Sequence, residues 1–268
     1  MTVVPKKETS MKRFIFFGLC GLLTAGLFAD AKGDEIAKAN LDRKTPNDMT
    51  SVATMTITDR SGVVKTRKLK MVSKETAEGT KAYVEFVEPA DVNGTKFLTV
   101  SKQGSETDQR LYLPALKKIR KISSSSKDGE FVGSDLFYFD MEKRYFEDGE
   151  YTFLSDNETL PGPAFAGMKF SKISITFKNP NAPYSKTIAW INPQDNIAYQ
   201  AECYDKKDGA LLKTISTDEV TVLKGYSIAV KTTVTNHKKG SHTQMVLGNL
   251  EVDSGVKDGE VSVKKLEQ

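Results

Sequence analysis

The chain has 268 residues, of which 38% are hydrophobic and 28% charged; this balance is typical of a folded globular protein and excludes a disordered or collagen-like chain. The formal net charge is +4, and the first 31 residues account for two units of it. The rest of the chain is therefore close to neutral, which argues against attraction of the whole protein to nucleic acid. All-β domains of this length often form one unit, so the length does not require two domains.

The N-terminal segment has the three parts of a secretory signal peptide. Lys12 and Arg13 precede an apolar run from Phe14 to Phe28, and Ala29-Asp30-Ala31 then offers small residues where a signal peptidase cleaves. The run is too short for a comfortable membrane span, since a transmembrane helix needs about 20 apolar residues. We therefore expect residues 1–31 to be a secretory signal that is cleaved near Ala29–Ala31.

Met11 is an alternative start, which would leave residues 1–10 upstream of the protein. Residues 32–268 are expected to form a single domain. Cys20 lies inside the apolar run, and the Phe-Gly-Leu before it is a poor lipobox, so lipid attachment there is the less favoured alternative. Cleavage of the signal would leave Cys203 as the only cysteine, so the fold must be held by its core without a disulfide.

After this segment the pattern predicts one helix and then strands. Residues 33–44 place Ile36, Ala37 and Leu41 at helical spacing, which favours a short amphipathic helix. From Thr50 onward apolar and polar residues alternate with a period of two, and turn signals such as Asn93-Gly94 separate the runs. The runs predict a mainly β protein with about ten or eleven strands in an antiparallel meander.

An aromatic stretch interrupts the strand pattern between Ser123 and Met168. Residues 131–146 contain six Phe and Tyr residues, and a Pro/Gly-rich segment with Phe165 follows. Connections normally lie on the surface and avoid apolar side chains. An aromatic connection is therefore expected to cover something, either the mouth of its own fold or a ligand.

The sequence contains no strong signature of an enzyme. It lacks the G-x-S-x-G motif, a phosphate-binding loop and a dinucleotide fingerprint. His237 and His242 flank a predicted turn without a nearby cysteine, so we expect solvated side chains and no metal site. We predict a protein that is not an enzyme and has no cofactor; a hydrolase acting on a lipid stays as a remote alternative, because one sequence does not show which acids converge.

A basic cluster lies near residue 120. The favoured interpretation is the solvent-facing side of a strand, with Ile119 and Ile122 pointing inward. The alternative is contact with an anionic lipid headgroup or a negatively charged partner, since each basic residue near an anionic surface contributes about 1 kcal/mol. The cluster consists of Lys117, Lys118, Arg120 and Lys121.

Three motifs follow one another at close spacing: EFVEPADVNGTKFL (residues 85–98), LYLPALKKIRKI (111–122) and KDGEFVGSDLFYFDM (127–141). YDKKDGALLKT (204–214) and the closing strand from Ser241 add to the series. Together they resemble the LolA-like family of outer-membrane lipoprotein-sorting proteins over nearly all of the chain after the N-terminal segment.

The resemblance implies an incomplete, strongly curved antiparallel β-barrel, with helices and loops forming a lid over an apolar cavity on the concave face. It also implies a periplasmic, non-enzymatic carrier of lipids or lipoprotein acyl chains, moving cargo from an inner-membrane transporter toward an outer-membrane acceptor. We expect a monomer with lipid or acylated lipoprotein as cargo and no nucleic-acid partner. The alternative is a non-enzymatic β-structured interaction or adhesion protein that docks a protein partner on its concave face.

The strand alternation and the resemblance together predict the residues of the cavity. Each predicted lining residue has an ordinary core position as its alternative. The predicted lid residues are Phe131, Phe137, Phe139 and Phe165. The predicted lining residues are Met55, Ile57, Val84, Phe86, Leu98, Leu111, Leu113, Ile173, Ile175, Ile188, Trp190, Tyr199, Ile228 and Val230.

Overall fold

The structure, a computed structural model, describes residues 1–2 and 24–268. Cys20, Met11 and most of the predicted signal segment therefore lie outside the described residues. None of the helices that are described is both long and apolar enough to cross a bilayer.

The described chain consists of a helix, a run of strands and a short closing helix. The first helix, α1, spans Thr24–Leu41, and the last, α2, spans Val263–Glu267. Short 3-10 turns lie mainly in the connections. The strands are β1 (Asp48–Thr58), β2 (Val64–Thr76), β3 (Gly79–Glu88), β4 (Lys96–Ser101), β5 (Asp108–Leu113), β6 (Lys118–Lys121), β7 (Gly149–Glu158), β8 (Phe170–Phe177), β9 (Tyr184–Ile191), β10 (Ala198–Asp205), β11 (Leu211–Leu223), β12 (Tyr226–Asn236) and β13 (Ser241–Val252).

All thirteen strands belong to one antiparallel sheet, in the order β6-β5-β4-β3-β2-β1-β13-β12-β11-β10-β9-β8-β7. The first and last strands pair in the middle of the sheet, from Met49 opposite Val252 to Thr58 opposite His242. The middle of the chain therefore supplies both edges, β6 and β7. Residues 122–148 join these two edges, and we call this segment the inner connection.

The inner connection lies against both halves of the sheet. The ring of Phe131 packs edge-on against Phe97 of β4 at 5.1 Å between centroids, and the ring of Phe139 packs against Phe177 of β8 at 5.2 Å. One segment reaches strands on both sides of the sheet centre because the sheet is strongly curved around it. We call the face that carries this connection the inner face. The expectation of a curved, incomplete antiparallel barrel is confirmed, as an open sheet.

Helix α1 also lies on the inner face, where it covers β7 and β8. Ala37 packs against Ile173 of β8 and Ala189 of β9. Gly33 brings the helix backbone next to strand β7, since a Cβ at this position would lie 2.7 Å from the Phe153 amide nitrogen and 2.8 Å from the Tyr151 carbonyl oxygen. The outer face carries α2, whose Leu266 packs with Leu98 of β4.

Two strands and one helix boundary differ from the sequence prediction. Strand β7 falls inside the predicted interruption, because only Tyr151 and Phe153 alternate with polar residues before Leu154 breaks the pattern, which is too short to predict a strand. Strand β6 has only four residues and was considered only as one interpretation of the basic cluster. The helix begins at Thr24 rather than near residue 33 and thus includes the end of the predicted apolar run.

The chain segments around the central β1–β13 pair are tied together by Asp48. Its carboxylate accepts hydrogen bonds from the amide and hydroxyl of Ser254, at 2.8 and 3.0 Å, and from the amide of Gly255 at 3.1 Å. Burial raises the pKa of Asp48, but these donors outweigh burial and hold the pKa below its ordinary value. A hydrogen bond to a charged group contributes about 1.5–3 kcal/mol, so Asp48 stabilises this junction.

We expect Asp48→Asn to lower the free energy of unfolding at pH 7 by about 2 kcal/mol, because the amide is a weaker acceptor for these donors. A lowered native pKa stabilises the fold above the unfolded pKa of about 3.9, and this contribution disappears as the pH falls through the native pKa. The difference between the variant and the parent in urea unfolding should therefore shrink from pH 7 to pH 3. Asp128→Asn, at an exposed carboxylate, is the control and should change little at either pH; an equal loss for Asp48→Asn at both would contradict this assignment.

A second prediction concerns the approach of α1 to β7. Alanine is a better helix former than glycine by about 1 kcal/mol, so Gly33→Ala would stabilise an unobstructed helix. We expect the opposite, a loss of about 1–3 kcal/mol from steric overlap with the β7 backbone, measured by urea unfolding. Gly259→Ala, where nothing lies within 4 Å of the added Cβ, should stay within about 0.5 kcal/mol of the parent. A stabilised Gly33→Ala protein would mean that α1 is not packed this closely.

Candidate functional site

A buried lysine holds the inner connection to strand β11. Lys213 is fully buried, and its Nζ lies 3.0 Å from the Asp140 carboxylate and donates to the Asp135 carbonyl at 2.8 Å. The hydroxyl of Tyr184 donates to the other Asp140 oxygen at 2.7 Å, and burial raises the pKa of Tyr184 well above its ordinary value, so it stays a neutral donor. The ammonium group also lies 3.4 Å from the centre of the Phe137 ring. These contacts give the connection one fixed position.

A second buried group of charges fixes the end of the connection. Lys127 is 1% exposed, and its Nζ lies 2.7 Å from the Glu142 carboxylate and donates to the Thr107 carbonyl at 3.0 Å. Arg144 donates to the other Glu142 oxygen at 2.6 Å, and its guanidinium lies 3.7 Å from the centre of the Phe139 ring. The two basic residues share this buried carboxylate, and Lys127 Nζ also lies 3.7 Å from the Glu106 carboxylate.

The sequence pattern predicts a covering role for the aromatic residues of the inner connection but not the anchoring role of its charged residues. Lys127, Asp135 and Asp140 all belong to the motif of residues 127–141, in which they alternate with the aromatics. Asp135 accepts hydrogen bonds from the hydroxyls of Ser241 and Thr243, at 2.5 and 2.7 Å. Charged residues inside an apolar segment were the available signal, because such residues are seldom fully buried unless they are paired.

The structure brings three of the four predicted lid residues together. Phe131, Phe137 and Phe139 lie on the inner connection, and Phe131 is fully buried among residues of β1–β5. They fill the inner face rather than cover an empty space. Phe165 lies on the outer face, because the β7–β8 connection folds over that side and packs Phe165 against Phe170.

The predicted lining residues divide between the two faces. The alternation of β4 and β9 accounts for most of the division: Phe97 and Ala189 face inward, so their neighbours Leu98 and Trp190 face outward. A register shift at Tyr199 turns that side chain outward as well. The outward set, which corrects the prediction, is Leu98, Ile188, Trp190 and Tyr199. The inward set is Met55, Ile57, Val84, Phe86, Leu111, Leu113, Ile173, Ile175, Ile228 and Val230.

A cavity of about 560 Å³ lies on the inner face between α1 and the end of the inner connection. Ile228 is the member of the predicted lining set that lines it. Small side chains keep this part of the inner face open, among them Ser73, Ala198 and Thr217. The larger apolar lining residues are Leu41, Met49, Ile197, Ile228 and Leu247.

The charged groups of this cavity lie mainly in ion pairs. Lys143 Nζ is 2.8 Å from the Glu75 carboxylate, and Arg144 is paired outside the lining as described above. Arg43 follows α1 and donates to the Ser227 carbonyl at 3.2 Å. Burial lowers the pKa of Arg43, although an arginine side chain remains charged in proteins.

Two other cavities, of about 420 and 600 Å³, are lined largely by charged side chains. The 560 Å³ cavity has the more apolar lining and is therefore the better site for a hydrocarbon. Within residues 24–268, no three His, Cys, Asp or Glu side chains are grouped as a metal site would require. Cys203 is buried against the inner connection, and burial raises the pKa of its thiol to about 12.

The basic cluster lies elsewhere, on the edge strand β6 and the turn before it. Ile119 points toward the outer-face cluster beneath α2, whereas Ile122 joins the inner-face core. Lys121 Nζ is 3.5 Å from the Asp108 carboxylate. The four basic side chains, Lys117, Lys118, Arg120 and Lys121, are exposed.

The anchoring of the inner connection gives a direct prediction for stability. Asp140→Asn should lower the free energy of unfolding by about 3 kcal/mol or more, because it leaves the ammonium of Lys213 buried without a countercharge. Glu130→Gln is the control, since Glu130 pairs with Lys239 at the exposed end of the same connection and should cost under about 1 kcal/mol. Similar losses for the two variants in urea unfolding would refute the anchoring role of Asp140.

The comparisons with known proteins agree with this geometry. An outer-membrane lipoprotein-sorting protein domain from Vibrio parahaemolyticus is 28% identical, with 89% of this chain and 100% of that chain covered and a TM-score of 0.82. A DUF1329 family protein from Desulfovibrio piger is also 28% identical, with 89% and 99% covered and a TM-score of 0.83. A LolA superfamily protein from Nitrosomonas europaea shares the fold at 16% identity, with 90% and 98% covered and a TM-score of 0.65.

A comparison with curated protein sequences gives no significant match. One family model, described as that of an uncharacterized protein, matches residues 78–268. That match covers strands β3–β13 and the whole inner connection. Because that match covers more than half of the chain, the chain belongs to the family of this model, and the resemblance to LolA-like outer-membrane lipoprotein-sorting proteins is confirmed by the strand order, the curved open sheet and the structural relatives.

Proposed function

We propose that this protein is a periplasmic carrier that holds the acyl chain of a lipid or lipoprotein in the inner-face cavity and moves it toward the outer membrane. The observation that carries the proposal is the cavity of about 560 Å³ with a mainly apolar lining. Its volume lies within the range of about 300–1,000 Å³ that is usual for small-molecule sites.

The need for such a carrier follows from the cost of exposing hydrocarbon to water. Each buried methylene contributes about 0.8 kcal/mol, so a chain of about 16 carbons loses roughly 12 kcal/mol on entering water. Unassisted transfer across an aqueous compartment would therefore be very slow. A cavity lined by Met49, Ile228 and Leu247 offers an apolar environment in which this cost is reduced.

The two elements that border the cavity differ in how firmly they are held. Buried charged groups anchor the inner connection, whereas α1 packs through Gly33 and apolar residues such as Ala37, and its ion pair to β7, Lys32 with Asp156, is partly exposed. Segments without buried polar anchors open at a lower free-energy cost. We propose that α1 moves to admit and release the acyl chain, while the inner connection stays in place.

The proposed location and route rest on the sequence and on the relatives. The basic and apolar N-terminal segment is typical of an exported protein, and the Vibrio parahaemolyticus relative is described as sorting outer-membrane lipoproteins. A donor in the inner membrane and an acceptor in the outer membrane follow from that route. Docking of a protein on the concave face is disfavoured, since a partner would have to displace the anchored inner connection.

Leu247→Asp tests the cavity. Leu247 lines it, whereas its neighbour Val246 points outward on the same strand and is 39% exposed. We expect Leu247→Asp to reduce uptake of a fluorescent fatty acid at least tenfold, because a carboxylate in an apolar site costs several kcal/mol. Val246→Asp is the matched control and should bind like the parent protein.

A second substitution, which fills the cavity without adding a charge, distinguishes the effect of lost cavity volume from the effect of a buried carboxylate. Ala198→Phe keeps the site apolar but occupies part of it, so uptake should fall while the fold is retained. Circular dichroism and thermal unfolding would establish that each variant is folded. Parent-level uptake by both folded cavity variants would rule out this cavity as the carrier site.

A further inference from the structure

Arg43 is the charged residue of the cavity lining that has no carboxylate partner among the described residues. Its guanidinium donates to the Ser227 carbonyl at 3.2 Å, and within residues 24–268 no carboxylate oxygen lies within the 4.0 Å that defines an ion pair. The Asp195 carboxylate acts on Arg43 at longer range and partly offsets the lowering of its pKa by burial. That carboxylate is engaged elsewhere, since it accepts hydrogen bonds from the Tyr199 hydroxyl at 2.7 Å and the Ile197 amide at 3.0 Å.

The other two basic side chains of the lining, Lys143 and Arg144, already form ion pairs. Lys143 is paired with Glu75 at 2.8 Å and Arg144 with Glu142 at 2.6 Å. Lys143 and Arg144 thus each lie within ion-pair distance of a carboxylate, although Arg144 shares Glu142 with Lys127. The cavity therefore combines an apolar interior with one basic group at its border, Arg43, that pairs with no carboxylate of residues 24–268.

This arrangement is unfavourable for the empty protein and suits an anionic ligand. Burial disfavours the charged form of Arg43, as its lowered pKa shows. A guanidinium group has five N–H donors in a planar fork, which matches a carboxylate or a phosphate and binds either one in a bidentate manner. One donor is used for the Ser227 carbonyl, so the others remain for a ligand.

We propose that Arg43 binds the anionic headgroup of the cargo, a carboxylate or phosphate whose hydrocarbon chain lies along Met49, Ile228 and Leu247. The inference rests on the proposed carrier function and narrows its cargo to anionic lipids. Free fatty acids and phospholipids carry such a group. The acylated end of a lipoprotein does not, because its diacylglyceryl and N-acyl groups are uncharged.

The test compares a fluorescent fatty acid with its methyl ester, which has the same chain without the charge. The full-length protein should bind the acid about tenfold more tightly than the ester. Arg43→Gln should remove this preference by weakening acid binding alone, while Arg43→Lys should retain part of it. Lys44→Gln removes the adjacent exposed charge, which lies over the Tyr226 ring outside the lining, and should leave the preference intact.

Each outcome bears on one proposal or on both. Equal binding of acid and ester by the parent protein, unchanged in Arg43→Gln, would overturn the headgroup assignment and leave the carrier function standing. No binding of either probe would overturn the carrier function and the headgroup assignment together. Ester binding by Arg43→Gln also shows that this variant is folded. Competition by phosphatidylglycerol, compared with unlabelled fatty acid, then tells whether the phosphate or the carboxylate is the better ligand.

Discussion

The buried contact between Lys213 and Asp140 is the interaction on which the inner face depends. It attaches the inner connection to β11, close to the middle of one half of the sheet. Lys127, which pairs with Glu142 of the same segment, attaches it to the β4–β5 connection by donating to the Thr107 carbonyl. Because both ends are fixed, the aromatic residues between them occupy a defined part of the concave face, and the rest of that face is left open.

Buried ion pairs are a costly way to hold a segment in place. Their desolvation often cancels their attraction, and apolar replacements of the same volume can be as stable. The charges hold the segment in a single position, since both ammonium groups and the Asp140 carboxylate are also hydrogen-bonded to a particular backbone or hydroxyl group. An apolar connection could slide along an apolar sheet and close the cavity. We infer that the charged anchors preserve the open space beside them.

The sequence predicted the fold more completely than the site. Period-two alternation and the spacing of turns located eleven of the strands, and the three motifs identified the curved architecture. The faces of β4 and β9 were assigned wrongly at Leu98, Ile188 and Trp190, because the outer face is also covered by apolar segments, α2 and the β7–β8 connection. When both faces of a strand are buried, alternation no longer tells which side is inward. At Tyr199 a register shift reverses the alternation, and nothing in the local sequence marks it.

The position of the cavity follows from the topology. The first and last strands, β1 and β13, pair in the middle of the sheet, far from the edges that the inner connection joins. Helix α1 runs from the β7 edge, where Gly33 lies, toward the middle of the sheet, so the space between its end and the anchored connection lies over the central strands. Arg43 lies where the chain leaves α1 and turns toward β1. A movement of α1 would therefore also move the one cation of the lining that has no partner, and opening of the cavity would be coupled to release of the headgroup.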